Sequence, residues 1–202
     1  MSKMYWEEIY KNMPITREDS WLDKYRFLLK GCCKILDLGC GNGANEKYLE
    51  KINIFPMVCD ISENAINVIH QLYPRCEAKI VDISKNLPYG NKKMDLIIAD
   101  LSLHYFDNES TFKIITELKR ILNDNGFVIG RVNAKQGIKK NKNYLEIEKD
   151  FFEENGCFRR YFSRDDIEKF FQGFRILVNS ENVTYKYGDK KYVIEFLLQK
   201  VE

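Results

Sequence analysis

The sequence is poor in the residues from which metal sites and nucleophile–base pairs are usually made. Among 202 residues there are two histidines, His70 and His104. The six cysteines, Cys32, Cys33, Cys40, Cys59, Cys76 and Cys157, contain no Cys-x-x-Cys pair. Zinc-site spacing is missing, so no structural metal is expected. Charge of one sign is lacking as well: 32 Lys and Arg offset 30 Asp and Glu, leaving +2. That balance removes a global basic surface and argues against a nucleic-acid or membrane partner. No uninterrupted apolar run reaches membrane-spanning length, and the opening Met1-Ser-Lys-Met-Tyr-Trp-Glu-Glu8 is broken by charge where a secretion signal would be apolar. A reducing, cytoplasmic location with free thiols is therefore expected. The Asn-x-Ser/Thr triplets at Asn108 and Asn182 are then chance matches. Repeats, low-complexity tracts and linkers that would split the chain are also missing.

What is present is the balance of a globular chain, 45% hydrophobic and 31% charged, at a length that fits one core. From Lys34 to Arg131 short apolar runs alternate with amphipathic stretches, the pattern of a parallel sheet covered by helices on both faces. Strands are expected at Lys34–Leu38, Pro56–Asp60, Ala78–Ile83, Met94–Asp100 and Phe127–Val132. A helix follows the first strand from about Ala44, with Tyr48, Leu49 and Ile52 inward. Ser62 caps the next, whose inward stripe reads Ala65, Val68, Ile69 and Leu72. A third helix runs from about Glu109 to Leu122 and stops at Asn123-Asp-Asn-Gly126. The stretch from Asn133 to Asn143 carries four lysines and reads as a loop. Ser163-Arg-Asp-Asp166 resembles a capping box ahead of a helix with Ile167, Phe170 and Phe171 inward. Phe174–Val178 and Lys191–Leu198, with a Gly188-Asp189 turn signal between them, are expected to pair antiparallel.

The chemistry concentrates at Ile35-Leu-Asp-Leu-Gly-Cys-Gly-Asn-Gly43, a buried strand ending in three alternate glycines before a helix. Glycines let a ligand lie directly on the backbone, and in an α/β sheet this turn sits at the carboxyl edge where ligands bind. Asp60, seventeen residues after Gly43, stands where a carboxylate accepts from both ribose hydroxyls. Asp82, at the end of the third strand, is placed to accept from an adenine amino group, beside the Ile83 amide. Asp37 precedes the glycines, where a carboxylate repels a pyrophosphate and attracts a cation. With the Gly-x-Gly-x-x-Gly spacing also missing, a nucleoside without phosphates fits better than NAD. S-adenosylmethionine is such a ligand.

Asp37-Leu-Gly-Cys-Gly-Asn-Gly43 resembles the first motif of the class I S-adenosylmethionine-dependent methyltransferases, of the small, tellurite-resistance-like (methyltransferase type 11) kind. Asp60, Asp82, Ala99-Asp-Leu-Ser-Leu-His-Tyr-Phe106 and Leu118–Phe127 fall where that family has its later motifs. The resemblance implies a Rossmann-like, doubly wound, seven-stranded sheet, mostly parallel with one C-terminal antiparallel strand. It implies one domain over residues 1–202: a helical cover (1–30), a cofactor-binding core (31–133), a loop or lid (134–162), and a closing helix and hairpin (163–202). S-adenosylmethionine is the implied cofactor and S-adenosylhomocysteine its product. By the same resemblance Gly39, Cys40 and Gly41 line the methionine and ribose portion, with Asp37 near the amino group. Asp60 and Ile61 flank the ribose, Asp82 and Ile83 read the adenine, and Asp100 and Leu101 lie near the sulfonium. Tyr5-Trp-Glu-Glu-Ile-Tyr10 resembles the family's N-terminal covering helix and equally suits a buried helix face.

Methyl transfer needs alignment and water exclusion more than a base. His104, after the fourth strand, is the candidate base, with loop packing as its other reading. His70 belongs to the surface, and Cys40 is a small filler rather than a nucleophile. Tyr105, Phe106, Phe151, Phe152, Phe158, Tyr161 and Phe162 are candidate walls of an acceptor pocket, or core. The sequence lacks Asn/Asp-Pro-Pro-Tyr/Phe after the fourth strand, which favours a small-molecule acceptor over RNA or protein. Lysines 135, 139, 140, 142 and 149, with Arg159 and Arg160, keep a phosphate-bearing acceptor open. RNA or protein methylation, or a non-catalytic nucleoside-binding domain, are the alternatives. A monomer or homodimer is expected.

Overall fold

The computed structural model describes residues 3–12, 20–138, 144–154, 156–186 and 189–201. Four parallel strands form first: β1 (Ile35–Leu38), β2 (Met57–Asp60), β3 (Glu77–Ile80) and β4 (Met94–Asp100). Two long strands close the chain, β9 (Phe174–Lys186) and β10 (Asp189–Lys200), and β5 (Leu122–Asn133) joins them to the parallel set. The order across the seven-stranded sheet is β3-β2-β1-β4-β5-β10-β9, with β10 antiparallel to both neighbours. The order reverses between β1 and β4, which opens a crevice at their carboxyl ends.

Alternation along the strands sorts the side chains into two layers. Leu36, Leu38, Ile97, Ala99, Val128 and Val132 face one core, which α5 (Asn108–Ile121) and α6 (Arg164–Phe170) complete. Ile35, Leu96, Ile98 and Ile129 face the other, against α3 (Ala44–Lys51) and the Ser20–Tyr25 turn of 3₁₀ helix that leads into α2 (Arg26–Gly31). A two-residue period carries both layers, because successive side chains leave opposite faces of a strand. Helix α4 (Glu63–Leu72) packs by β2, capped by Ser62, whose oxygen accepts from the Ala65 amide. The box at Ser163 and Asp166 forms as its spacing predicts, each side chain taking the other's backbone N–H.

Several boundaries depart from the sequence reading. The inward stripe of α4 is Ala65, Ile66 and Ile69, one position round from the expected face, and Leu72 is 39% exposed. Strand β3 stops at Ile80 rather than Ile83, because the Asp82 carboxylate takes the Ser84 amide and hydroxyl and turns the chain away. Leu122 pairs with Met94 before the Asn123–Gly126 turn, so β5 starts ahead of the breaker cluster and shifts register across it. The final hairpin is longer than the two apolar runs, and Gly188 lies outside the described residues.

The largest correction concerns residues 134–162, expected as a loop or lid. They hold a second sheet, β6 (Leu145–Glu148), β7 (Phe151–Glu154) and β8 (Cys157–Arg160), a three-stranded antiparallel meander. Its strands are only four residues each and rich in Glu and Arg; β6 alternates as Leu-Glu-Ile-Glu but leaves Leu145 and Ile147 at least half exposed, and β7 and β8 do not alternate. Residues 139–143, with Lys139, Lys140 and Lys142, lie outside the described residues. Helix α1 (Lys3–Asn12) buries no residue fully and lies across the crevice, against α4.

Candidate active site

The crevice holds a cavity of about 560 Å³, well inside the range of small-ligand sites. One end is made by the turns after β1, β2 and β3. Gly39 and Gly41 adopt φ of +79° and +56°, and each is hemmed in: a Cβ would come within 2.7 Å of Ser102 Cβ or of the Tyr10 hydroxyl. Glycine is required at both for conformation and for space. The Gly39 and Cys40 amides donate to the Cys59 carbonyl at 2.8 and 3.0 Å, and the Gly41 amide donates to Asp60 Oδ2 at 3.0 Å. These N–H groups face β2 rather than the cavity. The loop therefore presents no cluster of free donors to a phosphate, and with Asp60 and Asp82 beside it the surface is acidic.

Asp60 is buried at the wall, where its second oxygen accepts from the Ser62 amide at 2.9 Å. Burial raises its pKa to about 6, against the pull of the Ser62, Gly41 and Ile61 amides. Ile61, Asp82 and Ile83 line the same end, with Asn42, Asn45 and Ser84 beside them. Cys40 lines it too, but burial and the fields of Glu46, Asp60 and Asp37 push its thiol well above the usual range, so it stays protonated and is no nucleophile.

Two predicted residues take other places. Asp37 is wholly buried behind the glycine turn rather than at the cavity surface. Its Oδ2 accepts from Asn45 Nδ2 at 2.8 Å, and Asn45 Oδ1 accepts from Trp21 Nε1 at 3.0 Å. His104 is 1% exposed and outside the lining, its ring packed 4.2 Å from that of Tyr105. So placed, it stands outside the cavity surface where a base would meet the reacting group.

Asp100 and Leu101 line the cavity as expected, but the Asp100 carboxylate is committed. Arg131 Nε and Nη2 donate to its two oxygens at 2.7 and 3.0 Å, a fork-to-fork pair with both side chains 2% exposed. The guanidinium also lies 4.5 Å over the Trp21 ring. Leu101 has φ of +56°, and its amide donates to the Arg131 carbonyl at 2.8 Å. A non-glycine residue in that region costs about 1–3 kcal/mol, so β5 holds the turn after β4 in its shape. Arg131 was not singled out in the sequence because its partner is 31 residues away.

The other end of the cavity is aromatic. Tyr105 and Phe106 follow β4, Phe151 and Phe158 come from the three-stranded sheet, and Trp6 descends from α1, while Tyr10 on the same helix reaches the glycine turn. The Phe151 and Phe158 rings stack at 5.7 Å, and Trp6 meets Tyr105 edge-on at 5.0 Å. Of the other candidate aromatics, Phe152, Tyr161 and Phe162 stay outside the lining. Helix α1 is tied down by Glu7, whose carboxylate accepts from the Glu63 and Asn64 amides and the Ser62 hydroxyl at 2.8–3.1 Å. Burial opposes the charge, but these hydrogen bonds prevail and hold Glu7 below the usual carboxylate range at the N-terminus of α4. Glu7, Ser102, Ile147, Glu148 and Lys191 escaped the sequence reading, since nothing local in their patterns marks them.

Comparison with known proteins agrees with this architecture. Residues 35–126 match a family described as a methyltransferase domain, which bears out the resemblance to the class I S-adenosylmethionine-dependent methyltransferases. The chain is 27% identical over 97 residues to the probable S-adenosyl-L-methionine-dependent methyltransferase TehB of Haemophilus influenzae, covering 47% of this chain and 34% of TehB. It is 31% identical over 96 residues to the human mitochondrial arginine-hydroxylase NDUFAF5, covering 47% of this chain and 27% of that protein. The matched stretch thus spans about a third or less of these relatives' own lengths. Among solved structures, a SAM-dependent methyltransferase from Methanosarcina mazei superposes with a TM-score of 0.74 at 18% identity, over 83% of this chain and 92% of its own. That likeness establishes the Rossmann-like fold. No helix among the described residues is long and apolar enough to cross a membrane.

Proposed function

We propose that the protein is an S-adenosylmethionine-dependent methyltransferase acting on a small-molecule acceptor. The observation that carries this reading is a cavity whose polar end offers carboxylates beside a glycine turn with its amides already taken by β2, and whose other end offers aromatic rings. A nucleoside that is cationic and free of phosphate suits the first end, and an acceptor fits against the second. Asp60 accepts from the ribose hydroxyls, Asp82 and the Ile83 amide face the adenine, and the backbone of Gly39 to Gly41 lies under the amino-acid tail. Asp37 acts from behind that turn, by orienting Asn45 and by its charge.

The bound donor supplies a methyl group already activated on a sulfonium. The chain's own part is to hold the acceptor in line and to exclude water, for which α1 and the three-stranded sheet close the cavity. With His104 buried away from it, the acceptor's proton leaves to solvent or to another group of the acceptor. The partial enclosure of the cavity and a net charge of only +2 support a small-molecule acceptor over RNA.

Calorimetric titration with S-adenosylmethionine, S-adenosylhomocysteine and NAD tests the cofactor. Micromolar binding of the first two, about −8 kcal/mol, without NAD binding is expected. NAD binding alone, or no binding, overturns the reading. Transfer of labelled methyl to extracted metabolites, with none to RNA or protein, is expected in the acceptor screen; label in protein or RNA would replace the small-molecule assignment.

A further inference from the structure

The aromatic end of the cavity carries information about the acceptor beyond its size, and the argument rests on the methyltransferase reading above. Trp6, Tyr105, Phe106, Phe151 and Phe158 line the space there, and the Arg160 guanidinium already lies 5.1 Å over the Phe151 ring, a face on which a cation is at home. Flat faces at this density stack a planar ring well and grip a small hydrated ion poorly.

The charges beside those rings point the same way. Asp107 and Glu148 line this end. Asp107 lies below the usual carboxylate range: burial opposes ionisation, but the Ser110 amide and hydroxyl and the field of Arg160 outweigh it. Among the described residues the nearby cations are paired, and Arg160 neutralises Glu148 itself, which leaves Asp107 and Glu109 as the carboxylates at this end of the lining that are not paired with an arginine. Arg160 is 4% exposed, pairs with Glu148 and donates through Nε to the Phe106 carbonyl at 3.1 Å. Arg159 pairs with Glu154 at 2.6 Å, and Lys135 sits between Asp150 and Asp166 at 2.9 Å from each. Among the described residues Lys191 is the one cationic side chain in the lining, against carboxylates on several elements. An anionic acceptor entering here would meet like charge in a partly enclosed site, so the repulsion should weaken as salt is raised.

We infer that the acceptor is a planar aromatic compound, neutral or positively charged, seated on the Phe151–Phe158 pair and Tyr105, and that oxyanions and phosphorylated acceptors are rejected. Delocalised cations gain further from the ring faces. This narrows the phosphate-bearing acceptor that the lysine-rich stretch left open.

The test uses one ring system at three charges. The protein is first saturated with S-adenosylhomocysteine, then titrated calorimetrically with indole, tryptamine, indoleacetate and selenite. Indole and tryptamine are expected to bind, indoleacetate at least tenfold more weakly, and selenite without measurable heat. Phe158→Ala is expected to weaken indole binding about tenfold and to leave S-adenosylhomocysteine affinity intact, which also shows that the variant folds. Indoleacetate or selenite binding as tightly as tryptamine overturns the inference, as does failure of every indole to bind the loaded protein. Failure of S-adenosylhomocysteine itself to bind strikes the methyltransferase reading, and this one with it.

Discussion

The two ends of the cavity are built from different material. The polar end is backbone and short side chains: the turns after β1, β2 and β3, within one run of chain, bring Gly39 to Gly41, Asp60 and Asp82 to one sheet edge. The aromatic end is assembled from long side chains on α1, the turn after β4 and the three-stranded sheet, elements separated by as many as 152 positions between Trp6 and Phe158. A backbone-built end is set by the fold itself and suits a ligand common to many proteins. A side-chain-built end can be changed by substitution without disturbing the sheet, so it is where one such protein departs from another.

If the polar end depends on the rigidity of the sheet, breaking the Arg131–Asp100 pair should have the largest effect. Arg131→Met leaves a buried carboxylate beside Leu101 and is expected to cost about 3–5 kcal/mol in denaturant unfolding. Adding Asp100→Asn should recover a large part of that loss. A single-variant loss below about 1 kcal/mol would show that the sheet edge holds without the pair.

Next in size is Asp60, which probes binding rather than stability. Asp60→Ala is expected to weaken S-adenosylmethionine binding by about 1.5–3 kcal/mol, the range for hydrogen bonds to a charged acceptor. Unchanged affinity in a folded variant would remove Asp60 from the ribose. Its titration gives a second readout. With the free-state value at about 6, affinity should fall as pH drops through 6, approaching tenfold per unit, because the protonated acid must lose its proton to accept two hydroxyls. Stability of the free protein should move oppositely at this residue. A carboxyl raised on folding favours the native state below its unfolded value, and that contribution is lost as pH rises through about 6. Parallel slopes for binding and stability would contradict the assignment.

The smallest effect tests the other end. Glu7→Ala should loosen α1 by about 0.5–1.5 kcal/mol, the usual loss for a helix N-terminal acceptor, read as faster amide exchange across Lys3–Asn12 with global stability nearly unchanged. The sign for acid is the reverse of that for Asp60. Glu7 is depressed on folding, so its contribution is present above the unfolded value and disappears only as pH falls below the ordinary glutamate range. Exchange unchanged by the substitution would mean that α1 is held by its aromatic contacts instead.

Legibility in the sequence follows the same division. The Gly39–Gly43 turn, the period-two strands and Asp60 could be read because each is local: a strand, a turn and a helix succeed one another within some thirty residues, and their residue types are dictated by backbone conformation. Asp82 was found as a residue but misplaced on a strand, since its own hydrogen bonds to Ser84 end the strand early. His104 looked chemical by position, yet the orientation of a side chain after β4 depends on Tyr105 and the core beneath it. The three-stranded sheet reads as a loop in the sequence because its four-residue strands pair only with one another, and only β6 carries an alternation, too short to stand out.

From the sequence by itself come the layered α/β class, the glycine turn after β1 and the acids that stand beside it. All of these rest on backbone geometry and on neighbours close in the chain. The tertiary structure alone decided that Arg131 takes the Asp100 carboxylate, that Glu7 fastens α1 over the crevice, and that rings from β7 and β8 close its far end. The reason is physical: hydrogen bonds, ion pairs and ring contacts act over a few ångströms, and only folding brings those partners within that reach.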